Sequence, residues 1–204
     1  MNSKVTPSQI RPVRENDVPD LLAMIRELAA FENLEDQLDV TAASLKEALF
    51  GARPVAGAIV AWNGAEAVGY AVYYYTYSTF VGRAGIFLED VYVRPVSRKQ
   101  GVGRSLIEAV AKIGAERRCG RYEWIALRWN ENALKFYRDL GATELDEWVM
   151  LRMDETSMAS MAKGRTKKQL LPEKHRPLPT EEKEGNQEPS GVVHCPAFSL
   201  LAAL

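Results

Sequence analysis

Cysteine and histidine are nearly absent from this chain. Its 204 residues include two cysteines, Cys119 and Cys195, and two histidines, His175 and His194. Two cysteines so far apart set up no disulfide framework and fit a reducing compartment, so a cytoplasmic location is expected. Both histidines fall near the C-terminus, so the folded part is expected to hold no metal site and no histidine-based triad. No apolar run approaches the roughly 20 residues that span a bilayer. The first nine residues carry no apolar run of signal-peptide length. The net charge of −1 gives no bulk attraction to nucleic acid or membrane, and neither is expected as a partner.

What is present is a core. Hydrophobic residues make up 47% of the chain, and its length suits one domain with a tail. A short strand is predicted over 9–12. Asn16 or Asp17 can cap a helix running to about Phe31, with Val18, Leu21, Leu22, Ile25, Leu28 and Ala29 on one stripe. A second helix follows Thr41. Strands are predicted over 56–62 and 67–76 around the turn Asn63-Gly64, and over 86–93. A helix after Gly101 places Val102, Leu106, Val110 and Ile113 on one face and is expected to end near Cys119-Gly120. A strand over 122–127, a helix opened by Asn130 or Asn132 and ending at Gly141, and a last strand over 147–153 complete a mixed α/β domain. We read 1–8 as a flexible N-terminus and 9–157 as the domain. Residues 158–204, rich in Lys, Glu, Pro and Gln, read as a disordered tail, with a basic (163–168) or apolar (198–201) docking segment as the alternative.

The stretch from Leu88 to Gly103 carries the most chemistry. A strand, Leu88-Glu89-Asp90-Val91-Tyr92-Val93, runs into Arg98-Lys99-Gln100-Gly101-Val102-Gly103 and then a helix. Successive N–H groups at such a loop can hold a phosphate, and Arg98, Lys99 and Arg104 add positive charge. Taken alone, the loop also fits a plain helix start with solvated basic residues. It matches neither a P-loop nor a dinucleotide fingerprint.

Arg98-x-x-Gly101-x-Gly103 after the Glu-Asp-Val-Tyr-Val strand resembles the acetyl-CoA site of the GCN5-related N-acetyltransferases, in their spermidine/spermine (diamine) branch. Ile25-Arg26-Glu27-Leu28-Ala29, Phe31-Glu32, Trp129-Asn130-Glu131, Phe136-Tyr137 and Glu147-Trp148 carry the same resemblance. It covers 10–154. The loop reads Arg-Lys-Gln where the family has Arg-Gly-x, so one glycine is missing.

The resemblance implies a GNAT acyl-CoA acyltransferase fold, with a mixed central sheet, a splayed pair of strands and flanking helices. It implies acetyl transfer from acetyl-CoA, as co-substrate, to a primary amine of a small polyamine, diamine or lysine-like substrate by direct attack, in a homodimer. Backbone groups of Val91, Tyr92 and Val93 would meet the pantetheine arm. Lys99, Gln100, Gly101, Val102, Gly103 and Arg104, with Arg98, would hold the pyrophosphate. Asn130, Glu131, Asn132 and Ala133 would sit against the cofactor at a helix start. Tyr137 matches the general acid, and a phenol with a pKa of about 10 stays protonated at neutral pH. On spacing alone Tyr137 also reads as a core aromatic. Glu89 is the candidate base for the amine, and Glu89 and Asp90, as neighbours in a strand, are expected to face opposite sides. Phe31, Glu32, Glu89, Asp90, Glu123, Trp124, Ile125 and Glu147 are the expected amine-side residues. A protein N-terminus or lysine as acceptor, or a CoA-binding scaffold with little turnover, are the rival readings.

Overall fold

Three consecutive antiparallel strands form the centre of the fold in a computed structural model that describes residues 9–164. The sheet runs in chain order: β1 (Gln9–Pro12), β2 (Gly57–Asn63), β3 (Glu66–Ser78), β4 (Arg83–Val93) and β5 (Tyr122–Glu123). The first three pairings are antiparallel and β4–β5 is parallel, so the sheet is mixed. Asn63 pairs with Glu66 across a two-residue turn, and Gly64 takes the φ of 61° that this turn requires.

Helices cover both faces. On one face lie α1 (Val18–Glu32) and α2 (Ala42–Phe50), with Leu21, Met24 and Leu28 buried against Val60, Tyr70 and Tyr92. Thr41 caps α2 by accepting a hydrogen bond from the Ser44 N–H at 3.1 Å. The N-terminus of α1 is held differently. Asp17 accepts from the Arg14 N–H at 2.7 Å and forms an ion pair with Arg11, which holds its carboxyl below the usual range. On the other face lie α3 (Val102–Glu116) and α4 (Glu131–Asp139), with Val102, Leu106 and Val110 packed against Ile59, Leu88 and Val91.

One irregularity sets up the site. Val72 pairs with Asp90 and Tyr73 with Leu88, so Glu89 is the extra residue of a β-bulge. The bulge shifts the phase of β4. Ile86 and Leu88 before it, and Val91 and Val93 after it, all enter the core beneath α3, although the spacing is odd across the bulge. The bulge also bends the strand. Pairing between β4 and β5 consists of Ile86 with Tyr122 and Phe87 with Glu123. From Leu88 to Val93 the β5-side edge of β4 has no strand partner among the described residues, as a splayed pair requires.

Three expectations need correction. The strand over 122–127 shrinks to two residues, because β4 leaves the ladder at its bulge and gives 124–127 nothing to pair with. Helix α3 ends at Glu116, before Cys119-Gly120. Arg118 takes the left-handed φ of 57°, its N–H donates to the Ala115 carbonyl at 2.9 Å, and the Cys119 N–H donates to the Gly114 carbonyl at 2.9 Å. Gly120 serves instead at a close approach, with its N–H on the Ala84 carbonyl at 2.7 Å. Residues 147–153 form no strand. Their apolar pattern suits one, but no described strand pairs with them and their side chains are exposed.

The described residues divide into two units, 9–142 and 143–164. The second holds Glu147 and a short helix, α5 (Glu155–Ala162), capped by Asp154, which accepts from the Ser157 N–H at 2.6 Å. Neither docking segment considered for the tail lies wholly within the described residues, and Cys195, His175 and His194 lie outside them. No helix among the described residues is long and apolar enough to cross a membrane.

Candidate active site

The loop after β4 has the backbone of an anion cradle. Lys99 and Gly101 both take left-handed conformations, with φ of 58° and 88°. Gly101 is the N-cap of α3 and offers no side chain to the first turn. The first N–H groups of a 15-residue helix are therefore left for another acceptor. A Cβ on Gly101 would meet nothing within 4 Å, so the approach is open. Val102 is buried in the core, and only its backbone can serve the cradle. Gly103 follows in the first turn. The Gln100 side chain folds back onto the Val96 carbonyl at 2.8 Å.

The three cations expected there divide their roles. Arg98 turns inward. Its Nε donates to the Val93 carbonyl at 2.9 Å, and its guanidinium lies 5.1 Å from the Phe31 ring centre and 5.7 Å from that of Tyr92. Its Nη2 is buried without a hydrogen-bond partner. Lys99 is exposed, and Arg104 lies 3.8 Å from Glu108 one turn along the helix. The charge directed outward from this loop is that of Lys99 and Arg104.

Arg98 also marks where separate elements meet. Phe31, near the end of α1, lies 6.5 Å from Trp129, just before α4. Helix α1, the loop after β4 and the start of α4 thus share one aromatic contact. Asn130 is buried and spends its side-chain oxygen on the Ala133 N–H at 3.1 Å, capping α4. Glu131 and Asn132 are exposed in its first turn, while Ala133 is buried.

Tyr137 is 3% exposed, between Trp124 at 5.2 Å and Phe136 at 5.6 Å. Burial, reinforced by Tyr122, pushes its phenol well above the ordinary value of 10.0. Such a group holds its proton throughout the working range of an enzyme and can only donate it. Trp124, expected on the amine side, packs against Tyr122 and Tyr137. Ile125 follows it, half-buried, and Glu123 lies 3.8 Å from Arg121.

The carboxylates gather on the opposite face, and here the expectation for Glu89 and Asp90 fails. Because Glu89 is the bulged residue, alternation is suspended and both acids act on the α1 side. Asp90, 6% exposed, faces the hydroxyl of the fully buried Tyr70 at 3.5 Å. Glu89 acts on Tyr74, whose phenol it helps to raise after burial itself. Glu32, 9% exposed, also raises Tyr70, after burial and Asp90. Tyr70 was missed in the sequence, because it reads as an ordinary strand aromatic until β3 and β4 are paired. Glu147 belongs to the second unit.

Residues 22–142 match the acetyltransferase (GNAT) family model. The chain is 37% identical over 166 residues to thialysine N-epsilon-acetyltransferase of Mus musculus, covering 76% of this chain and 97% of the mouse protein. It is 30% identical over 164 residues to the spermidine/spermine N(1)-acetyltransferase-like protein 1 of Homo sapiens, covering 76% of this chain and 24% of the human protein. The solved structure of an integron cassette protein from V. cholerae shares the fold at a TM-score of 0.66 and 23% identity, covering 78% of this chain and 99% of that one. This chain belongs to the GNAT acetyltransferase family.

Proposed function

We propose that this protein transfers the acetyl group of acetyl-CoA to a primary amine of a small lysine-like, diamine or polyamine substrate. The observation that carries this reading is the free edge of β4 followed, after the loop of residues 94–101, by the start of α3, which no side chain caps. A cofactor with an extended amide-bearing arm and a pyrophosphate needs those two features in that order. The similarity to thialysine and spermidine/spermine-type acetyltransferases supports the class of acceptor.

Acetyl-CoA supplies a thioester whose acyl carbon the amine attacks. Val91, Tyr92 and Val93 offer backbone groups to the arm, and the amides from Lys99 to Arg104 hold the pyrophosphate, with Lys99 and Arg104 adding charge. The amine arrives as an ammonium ion, drawn to Glu32, Glu89 and Asp90. Glu89 takes its proton, directly or through one water, before the N–C bond forms. As the C–S bond breaks, Tyr137 gives its proton to the sulfur. Asn130, Glu131, Asn132 and Ala133 keep the start of α4, and so Tyr137, in place. Phe31, Glu123, Trp124 and Ile125 complete the amine side. The transfer is direct, and the protein works as a homodimer in the cytoplasm. The scarcity of cysteine supports direct transfer and the compartment, and the family resemblance supports the homodimer.

Thiol release from acetyl-CoA over a panel of putrescine, spermidine, spermine, thialysine, lysine and a basic peptide tests the reading. One small amine should dominate. Tyr137→Phe should lower kcat about 100-fold or more and leave CoA affinity intact. Turnover should rise with pH as the amine loses its proton. It should not fall again below about pH 10, because the phenol of the acid is raised rather than lowered. CoA binding without turnover of any amine would favour the scaffold reading, and turnover of the peptide alone would favour a protein acceptor.

A further inference from the structure

We infer that Glu27 and Arg94 form a positioning pair, which holds the amine-side helix and the cofactor strand in one geometry and couples the two substrate sites through a single carboxylate. The inference rests on the acetyltransferase reading above. Glu27 sits on α1 one turn before Phe31. Its carboxylate accepts from Arg94 Nε at 3.2 Å on each oxygen, from Arg94 Nη2 at 2.9 Å and from the Tyr92 hydroxyl at 3.1 Å. All of these donors come from the end of β4 and the residue that follows it.

Arg94 reaches a third element as well. Its Nη1 donates to the Ala67 carbonyl at 2.8 Å and lies 3.6 Å from Glu66, and its backbone N–H donates to the Val68 carbonyl at 3.0 Å. One guanidinium therefore ties α1, the start of β3 and the end of β4. Only the rigid fork of an arginine can serve a carboxylate on one side and a carbonyl on the other.

From this knot, contacts lead to both sites. The Ser97 N–H donates to the Arg94 carbonyl at 2.8 Å, and Arg98 Nε donates to the Val93 carbonyl. The backbone that starts the loop is the backbone that Glu27 restrains. Toward the amine, Tyr92 lies 6.2 Å from Tyr70, which meets Asp90, and the Arg98 guanidinium bridges Tyr92 to Phe31. Loss of the carboxylate would leave Arg94 and the Tyr92 hydroxyl short of an acceptor in a half-buried place, and their readjustment would move both sites together. A plain structural staple predicts something else, namely less folded enzyme with unchanged affinities.

The test is a double-mutant cycle on the full chain, with steady-state kinetics in acetyl-CoA and in the best amine of the panel. Glu27→Gln and Arg94→Met should each raise both KM values about 5-fold or more while kcat per folded molecule stays within about 2-fold. The double variant should be no worse than the poorer single one. Arg94→Lys keeps the charge and loses the fork, so it should raise both KM values even if Glu27→Gln fails to fold. Unchanged KM values, a change in only one of them, or strictly additive effects would overturn the inference while leaving the acetyltransferase reading intact. A wild-type chain that neither binds CoA nor turns over any amine would overturn both.

Discussion

Lys99 and Arg118 occupy left-handed backbone positions where glycine would sit without strain. Lys99 stands where the family loop has its missing glycine, and the chain keeps the loop's geometry at the cost of a Cβ clash. Arg118 closes α3 in the same way. Each left-handed non-glycine residue costs about 1–2 kcal/mol locally, and glycine returns about 0.4–1 kcal/mol of that to the unfolded chain as entropy. Lys99→Gly and Arg118→Gly should therefore each stabilise the fold by about 0.5–1 kcal/mol, a rise in Tm of about 1–4 °C in a calorimetric scan. Arg118→Gly should leave the kinetics alone. Lys99→Gly should weaken acetyl-CoA binding slightly through its lost charge. At this scale the sequence was readable where chemistry follows from a residue and its near neighbours. Gly101 and Asn130 stand at the helix starts where local pattern put them, and Tyr137 is buried as its helical spacing suggests. Glu27, Tyr70 and Arg94 were opaque, because each matters through a partner 20 or more positions away in the chain.

Among the elements, β4 decides most, and its bulge is the part that alternation hides. By alternation alone, Ile86-Phe87-Leu88-Glu89-Asp90-Val91-Tyr92-Val93 is one regular strand with Glu89 and Asp90 on opposite faces. The bulge adds one residue, puts both acids on one face and returns Val91 and Val93 to the core. This distinguishes the residue from its side chain in an experiment. Glu89→Ala removes a carboxylate and keeps the bulge, so Tm should change by only a few degrees while turnover falls about 100-fold or more. Deletion of Glu89 removes the bulge itself. Leu88 and Val91 are then two positions apart, so plain alternation keeps Ile86, Leu88, Val91 and Val93 in the core beneath α3, and β4 loses only its bend. The deletion should abolish CoA binding and leave unfolding cooperative. A deletion variant that still binds CoA would show that the bulge does not set the site. The same bulge explains the shortened β5, since a strand cannot extend along a neighbour that has bent away. The residues 147–153 were misjudged for a related reason. Period and apolarity describe a strand's faces, but its existence depends on a partner, which no local pattern reports.

For the whole molecule, the architecture was more legible than the site, because hydrophobic periodicity locates helices and central strands whatever their partners. Both cores and every proposed site residue except Glu147 lie within 9–142. The residues after Gly164 differ in composition. Phe198 is their only aromatic residue, and Lys, Glu and Pro dominate much of the rest. If acetyl transfer needs only the two cores and the loops between them, a chain ending at Gly164 should keep kcat and both KM values within about 2-fold and Tm within about 2 °C. An increase in amine KM alone on truncation would assign 165–204 to acceptor recognition. A loss of folded protein would assign it to the fold, and would mean that the burial within 9–142 does not by itself hold the sheet and its helices together.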